Sequence, residues 1–131
     1  MAGSWGDPVF VRGYKNGALG PVIGYRFEFT ADASDGTIPD LNTASLVGIP
    51  PLGSFIFGID FKKDAVTPPN NLTLIQKTIN GNTQWSPAKL TDSGFRKPDA
   101  PEPVAGGFII SAAQDDAKTN SAKGQVTILI G

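Results

Sequence analysis

The chain has 131 residues, enough for one domain with a real core and too few for two. Charged residues make up 18% and the formal net charge is −1, so there is no basic footprint for nucleic acid or an anionic membrane surface. With no Cys and no His, disulfides, thiolate metal sites and the commonest general base are excluded. The 16 Gly and 11 Pro are the composition of strands joined by turns.

Residues 1–8, MAGSWGDP, are small and polar apart from Trp5 and end in Pro8. They mark an N-terminal arm ahead of a single β domain over 9–131. This start lacks a basic stretch followed by an apolar run, so no secretory signal is expected, and no apolar run approaches the ~20 residues of a membrane helix. Trp5 has two readings: folded back on its own domain, or anchored in a neighbour, where Trp is a favoured hot spot.

Val9 to Tyr14 predicts a short strand and Lys15-Asn16-Gly17 a turn. Val22 to Ala31 predicts a strong strand. Ile23, Tyr25, Phe27 and Phe29 face one way, and Val22, Gly24, Arg26, Glu28 and Thr30 the other, as in a half-exposed antiparallel sheet. The two strands are expected to form a long-looped hairpin. Ala31 to Asp40 is a loop. Asp32 and Asp35 before Gly36 resemble a calcium loop faintly, but they are three apart and Thr43 stands where the Glu belongs. Asx-turn chemistry accounts for them better.

Ala44 to Val47 reads as a short strand or a helical turn, closed by Pro50-Pro51. The stretch Leu52 to Phe61 follows. Phe55, Phe57, Ile59 and Phe61 recur at every second position, which predicts one buried face near the middle of a sheet. Burying each such side chain is worth roughly 1.5–3 kcal/mol. Leu72 to Ile79 carries apolar residues on both faces and is expected to be covered on both sides for part of its length. Asn80-Gly81-Asn82 is a tight-turn signal, followed by Trp85.

Residues 86–103 contain Pro87, Pro98, Pro101 and Pro103 and read as a long connection with one short piece of structure. Phe108 to Ala112 resumes alternation, with Phe108, Ile110 and Ala112 on one side. Gln114 to Gly124 reads as a solvated hairpin tip. Val126, Ile128 and Ile130 close the chain as a last strand, so the C-terminus is expected within the sheet. The fold class is all-β: a β-sandwich or partly open β-barrel of six to seven mainly antiparallel strands with long Pro/Gly-rich loops.

Reactive constellations are few. Ser86-Pro87-Ala88-Lys89 fits S-x-x-K, but in a Pro-flanked loop without the downstream elements that motif needs. No nucleophile elbow or phosphate loop is present. Glu28, Asp60, Asp92, Asp99 and Glu102 are the carboxylates from which a glycosidase pair would be drawn. Glu28 and Asp60 lie opposite their strands' apolar sets, where solvated charges belong. A carbohydrate-binding sandwich would present exposed aromatics, for which Trp5, Tyr14, Tyr25 and Trp85 are candidates, Tyr25 being in the buried set. Asn71-Leu72-Thr73 is formally a glycosylation sequon. No catalytic residue, cofactor, metal site or small-molecule substrate is expected.

The order DGTIP, GSFIFGIDF, PPNNLTLIQ with its NGN turn, SPAKLTDSG, GGFIISAA and GQVTILIG spans Gly36 to Gly131. In segment order it resembles the small all-β virion proteins of tailed bacteriophages. The resemblance implies a non-enzymatic structural protein, foremost a capsid decoration (cement) protein on the virion surface, made in the host cytoplasm. Its implied partners are the major capsid protein and copies of itself in a homotrimer, with neither nucleic acid nor membrane. A tail component or a carbohydrate-binding β-sandwich module are the alternatives. Trp5, Pro8, Phe10 and Trp85 are the candidate partner contacts. The Ala88–Val104 link is a second contact candidate, and strand addition at a free sheet edge one mode of binding.

Overall fold

The structure is a computed structural model and describes residues 2–15, 21–45, 54–87, 89–104 and 107–131. Its strands are β1 (Ser4–Trp5), β2 (Val9–Lys15), β3 (Pro21–Thr30), β4 (Leu41–Asn42), β5 (Ser54–Lys63), β6 (Leu72–Thr78), β7 (Thr83–Trp85), β8 (Gly94–Arg96), β9 (Glu102–Val104), β10 (Phe108–Gln114) and β11 (Lys123–Ile130). Six of these, β2, β3, β5, β6, β10 and β11, are seven residues or longer among the described residues. They answer to the strands legible in the alternation pattern. The other five are two or three residues each and fill in the sheet margins.

The strands form two antiparallel sheets. In the larger, β11 is central, with β3 on one side and β5 on the other. The outer edge of β3 is shared by β1 and β2, and that of β5 by β8 and β9. The smaller sheet runs β4-β10-β6-β7. Their facing sides meet in one apolar core, so the fold is a β-sandwich whose larger sheet curls open. Three rungs across the larger sheet make most of that core. Phe27, Val126 and Phe61 lie side by side, then Tyr25, Ile128 and Ile59, then Ile130 beside Ile56. Leu72, Leu74, Phe108 and Ile110 meet them from the smaller sheet.

The alternation expected in β5 is broken by a bulge. Leu129 pairs with Gly58 and Ile130 with Ile56, which leaves Phe57 as an extra residue. One extra residue inverts the facing of everything before it. Ile56 is therefore fully buried, Phe55 is 43% exposed and Phe57 only half-buried, so Phe55 and Phe57 do not share the core face of Ile59 and Phe61. Gly58 is where the neighbouring backbone comes close. A Cβ there would collide with the Phe95 ring and stand 2.8 Å from the Arg96 carbonyl oxygen.

Other expectations also change. In β6, Leu72, Leu74 and Gln76 face the core while Ile75 is half-buried and Ile79 exposed, so one face is covered rather than two. The Gln76 amide donates to Gln84 Oε1, and Gln84 Nε2 donates to the Pro103 carbonyl, linking the smaller sheet to β9. The Pro-rich link supplies two strands, β8 and β9, that edge β5, and buries Leu90 and Pro98. Residues 41–45 form β4 and a 3-10 turn; Val47, Pro50-Pro51, Leu52 and the Asn16-Gly17 turn lie outside the described residues. The Asn80-Gly81 turn forms, with Gly81 N–H donating to Thr78 O and Thr78 N–H to Asn82 O.

Residues 114–124 are a crossing between the sheets rather than a hairpin tip, because β10 and β11 belong to different sheets. Gln114 is buried at its start and ties three loops. Its Oε1 accepts the N–H of Asn70 (2.8 Å) and of Thr119 (3.0 Å). Its Nε2 donates to the carbonyls of Gly36 (2.7 Å) and Thr119 (3.1 Å). Gly36 holds a positive φ of 72° close against Lys118, which favours a residue without Cβ.

Two predictions follow from the register and the tie. Ile56→Ala should lower unfolding free energy by about 2–5 kcal/mol and Phe55→Ala by clearly less, read by urea denaturation, whereas the unbroken alternation would reverse that order. Gln114→Ala should cost about 2–4 kcal/mol, since it leaves several partly buried backbone groups without a partner.

Candidate functional site

The four candidate contact residues separate. Trp5 pairs with Phe29 in β1–β3, its ring lies 5.4 Å from that of Phe29, and its Nε1–H donates to the Pro39 carbonyl at 2.7 Å. It is half-buried on its own domain, and residues 4–6 are bound along the edge of β3 rather than forming a separate arm. Pro8 is half-buried beside it in sequence. Trp85 is half-buried too, opposite Gln76 and packed on the core. Phe10 alone of the four is largely exposed, at 60%, with one ring edge against Tyr25 at 5.2 Å. Of the proposed aromatic platform, Tyr25 is buried and the Tyr14 side chain lies outside the described ones.

The polar motifs are occupied locally. Ser86 Oγ donates to the Leu74 carbonyl at 2.7 Å, while Lys89 Nζ reaches Asp115 Oδ1 at 2.8 Å, so the S-x-x-K residues turn to different partners. Asp32 Oδ1 accepts from Ser34 N, Ser34 Oγ and Asp35 N, and Asp35 Oδ1 accepts from Thr37 N and Oγ1. This is Asx-turn geometry, with one carboxylate oxygen of each Asp holding its own turn. The Ser34 hydroxyl, then the two N–H groups, hold the Asp32 carboxyl down at about 2. Thr67 and Val66 N–H groups lower Asp64, and the Lys89 and Asn71 side chains lower Asp115. Asn71 of the sequon sits at φ 41° with its amide on Asp115 Oδ2.

Glu28 and Asp60 do share the face of the larger sheet that points away from the core. They are separated by β11 and by two residues of register. Strand spacing and rise place their backbones roughly 12 Å apart. Glu28 Oε1 instead accepts the Gln125 side-chain amide at 2.9 Å. Asp92 is paired with Lys63 at 3.2 Å.

Two kinds of surface remain. The first is apolar and lies at the margins of the larger sheet: Val9, Phe10 and Ile23 on the β2–β3 side, Phe55 and Phe95 on the β5–β8 side, all exposed. Sequence reasoning missed Phe55, because the bulge is silent in the pattern, and Phe95, because a Pro-rich link hides a three-residue strand. The second is a polar cleft of about 370 Å³ where the ends of β3 and β5 meet the start of β11, lined among others by Glu28, Thr30, Lys62, Asp64, Lys123 and Gln125.

No protein-family model matches the chain, and no curated protein matches it. Among solved structures, the CBM22-1 xylan-binding domain from Paenibacillus barcinonensis Xyn10C is similar over 98% of this chain and 84% of its own, at 18% identity and a TM-score of 0.31.

The three lowered carboxyls set an acid limit. A folded-state pKa below the unfolded value contributes stability that is present above the unfolded pKa and lost as pH falls through the folded one. For Asp32 that window runs from about 4 down to about 2. Thermal midpoints should fall across it, and Asp32→Ala should flatten the fall while lowering the midpoint at pH 7.

Proposed function

We propose that this chain is a non-enzymatic virion structural protein of a tailed bacteriophage, a capsid decoration protein that braces the head where capsid subunits meet. The observation that supports this most is the placement of exposed apolar side chains on opposite margins of one rigid sheet. Phe10 and Ile23 share one face and offer one contact, and Phe55 and Phe95 another. A protein that holds two neighbours together needs two such patches on a scaffold that does not flex between them. Val66 and Ile79, the other large exposed apolar residues among those described, stand singly in turns and ask for no partner.

A chain with opposite, dissimilar margins associates head to tail, and a closed ring such as a homotrimer is the economical result. Many modest contacts over a repeating lattice then add up to lasting attachment without one tight interface. A tail component uses the same chemistry at lower copy number. A carbohydrate-binding module is the second reading, favoured by Phe55 and Phe95 lying on the same outward face of the larger sheet.

Purified virions of the phage that encodes the chain should carry it at fixed stoichiometry, in hundreds of copies for a head protein and in small multiples of three or six for a tail component. Its absence from them would remove the proposal. The double variant Phe10→Ser, Phe95→Ser should keep its thermal midpoint within a few degrees and lose attachment at least tenfold. Saturable binding of a neutral oligosaccharide, abolished by Phe95→Ala, would favour the second reading instead.

A further inference from the structure

The Asn80-Gly81 step carries a chemistry that neither the core nor the bracing contacts use. The amide carbon of an asparagine is open to attack by the backbone nitrogen of the next residue. Here the Gly81 nitrogen would bond to Asn80 Cγ and close a five-membered succinimide. The Cγ–Nδ2 bond breaks, and Nδ2 leaves as ammonia with the proton that Gly81 N gave up. Water then opens the ring at one of its two carbonyls. Opening at Cγ leaves Asp with an ordinary backbone. Opening at the main-chain carbonyl leaves isoaspartate, whose chain runs through Cβ and Cγ and is longer by one carbon. Water is the only co-reactant.

The structure leaves this step open at Asn80. Ile79, Asn80, Gly81 and Asn82 are all exposed at the tip of the β6–β7 hairpin. The Asn80 side chain makes no hydrogen bond among the described residues. A Cβ on Gly81 would meet nothing within 4 Å, so the nitrogen is unhindered. Every other described Asn precedes a residue with a side chain, which crowds the nitrogen. Several are also engaged: the Asn70 amide donates to Asp116 O, the Asn71 amide to Asp115 Oδ2, and Asn42 Oδ1 accepts Ala44 N–H. One bond stands in the way at Asn80. Gly81 N–H donates to Thr78 O at 2.8 Å, and attack needs that nitrogen released and deprotonated. Besides it the tip is held by Thr78 N–H to Asn82 O at 2.7 Å and Asn82 N–H to Thr78 Oγ1 at 3.2 Å. Exposed turns held by a few such bonds open without unfolding of the rest.

We infer that Asn80 is a site of spontaneous deamidation in the folded protein, reached by local opening of the β6–β7 tip. The site does not depend on the virion reading. Its two products differ in consequence. Asp keeps the spacing of the turn. Isoaspartate lengthens the chain between Thr78 and Asn82, whose backbone bond closes the hairpin. β7 then slips from its register, and with it the Gln76–Gln84 and Gln84–Pro103 bonds that tie the smaller sheet to β9.

The test holds the full chain in mildly alkaline buffer made with isotope-labelled water and maps new carboxylates by peptide mass over weeks. Conversion is expected at Asn80, as Asp and isoaspartate together, at a rate that rises with hydroxide, with Asn42, Asn70 and Asn71 unchanged. Mapping separates Asn80 from Asn16. Ile56→Ala, which weakens the core, should leave the Asn80 rate within about twofold, because local opening does not draw on the core. A rate that rises in step with the lost stability would overturn the assignment to the folded protein. So would no conversion at Asn80 over many half-lives of the urea-unfolded chain. Hydrogen exchange reads the consequence: Thr78 N–H should exchange faster in the isoaspartyl fraction than in Asn80→Asp. Equal exchange in the two would overturn the slip of β7.

Discussion

The structure depends on β11 being paired along both edges. Val126 stands between Phe27 and Phe61, and Ile128 between Tyr25 and Ile59. Each rung places branched or aromatic groups side by side on the same face, the arrangement that gives a sheet its pairwise stabilisation. The last strand of the chain is thus the one that β3 and β5 need as a common neighbour. Without it, two strong strands separated by more than 20 residues of sequence have no ladder in common. Such a core is non-local, and its closure comes late in the chain.

That dependence explains what could be read from the sequence. Alternation located β2, β3, β6, β10 and β11 nearly to their ends, because a half-buried strand imposes a period of two on its residues. It also suggested Tyr25, Phe27 and Phe29 as core, and they are. It failed in β5 for a reason that lies in another segment. Gly58 is approached by the backbone of Arg96 and the ring of Phe95, and the chain bulges at Phe57 beside it. Nothing within GSFIFGIDF reports the presence of β8. Gln76 was hidden similarly: its burial follows from an amide chain to Gln84 and Pro103, and partners eight and 27 positions along the chain leave no local pattern.

The loops were legible as loops but not as a joint structure. Asp32, Asp35 and Asp64 each organise their own turn, and the short-range chemistry of Asp with N–H groups two and three residues on is readable from sequence. Gln114 is different. It binds Gly36, Asn70 and Thr119, one from each of three loops, and a buried amide with four partners has no sequence signature.

The consequence, among the described residues, is one end of the molecule whose loops are joined to each other. At one end, Ala31 N–H donates to Ala122 O, Ser121 N–H to Asp32 O and Lys123 N–H to Thr67 O, so the loops bond to one another as well as to the Gln114 amide. Backbone groups satisfied in this way do not need water, and the segments carrying them lose the freedom that loops usually keep. The cleft with Lys62 and Lys123 opens at this end. The exposed apolar residues Val9, Phe10, Ile23, Phe55 and Phe95 lie instead along the lateral margins, two on β2 and three beside β11 and β5 pairings. The polar cleft lies where loops are cross-linked through their backbones, and the exposed apolar side chains lie along the sides of the larger sheet. A charge-charge contact in solvent is worth little unless its geometry is held, while apolar burial is non-directional and tolerates imprecise fit.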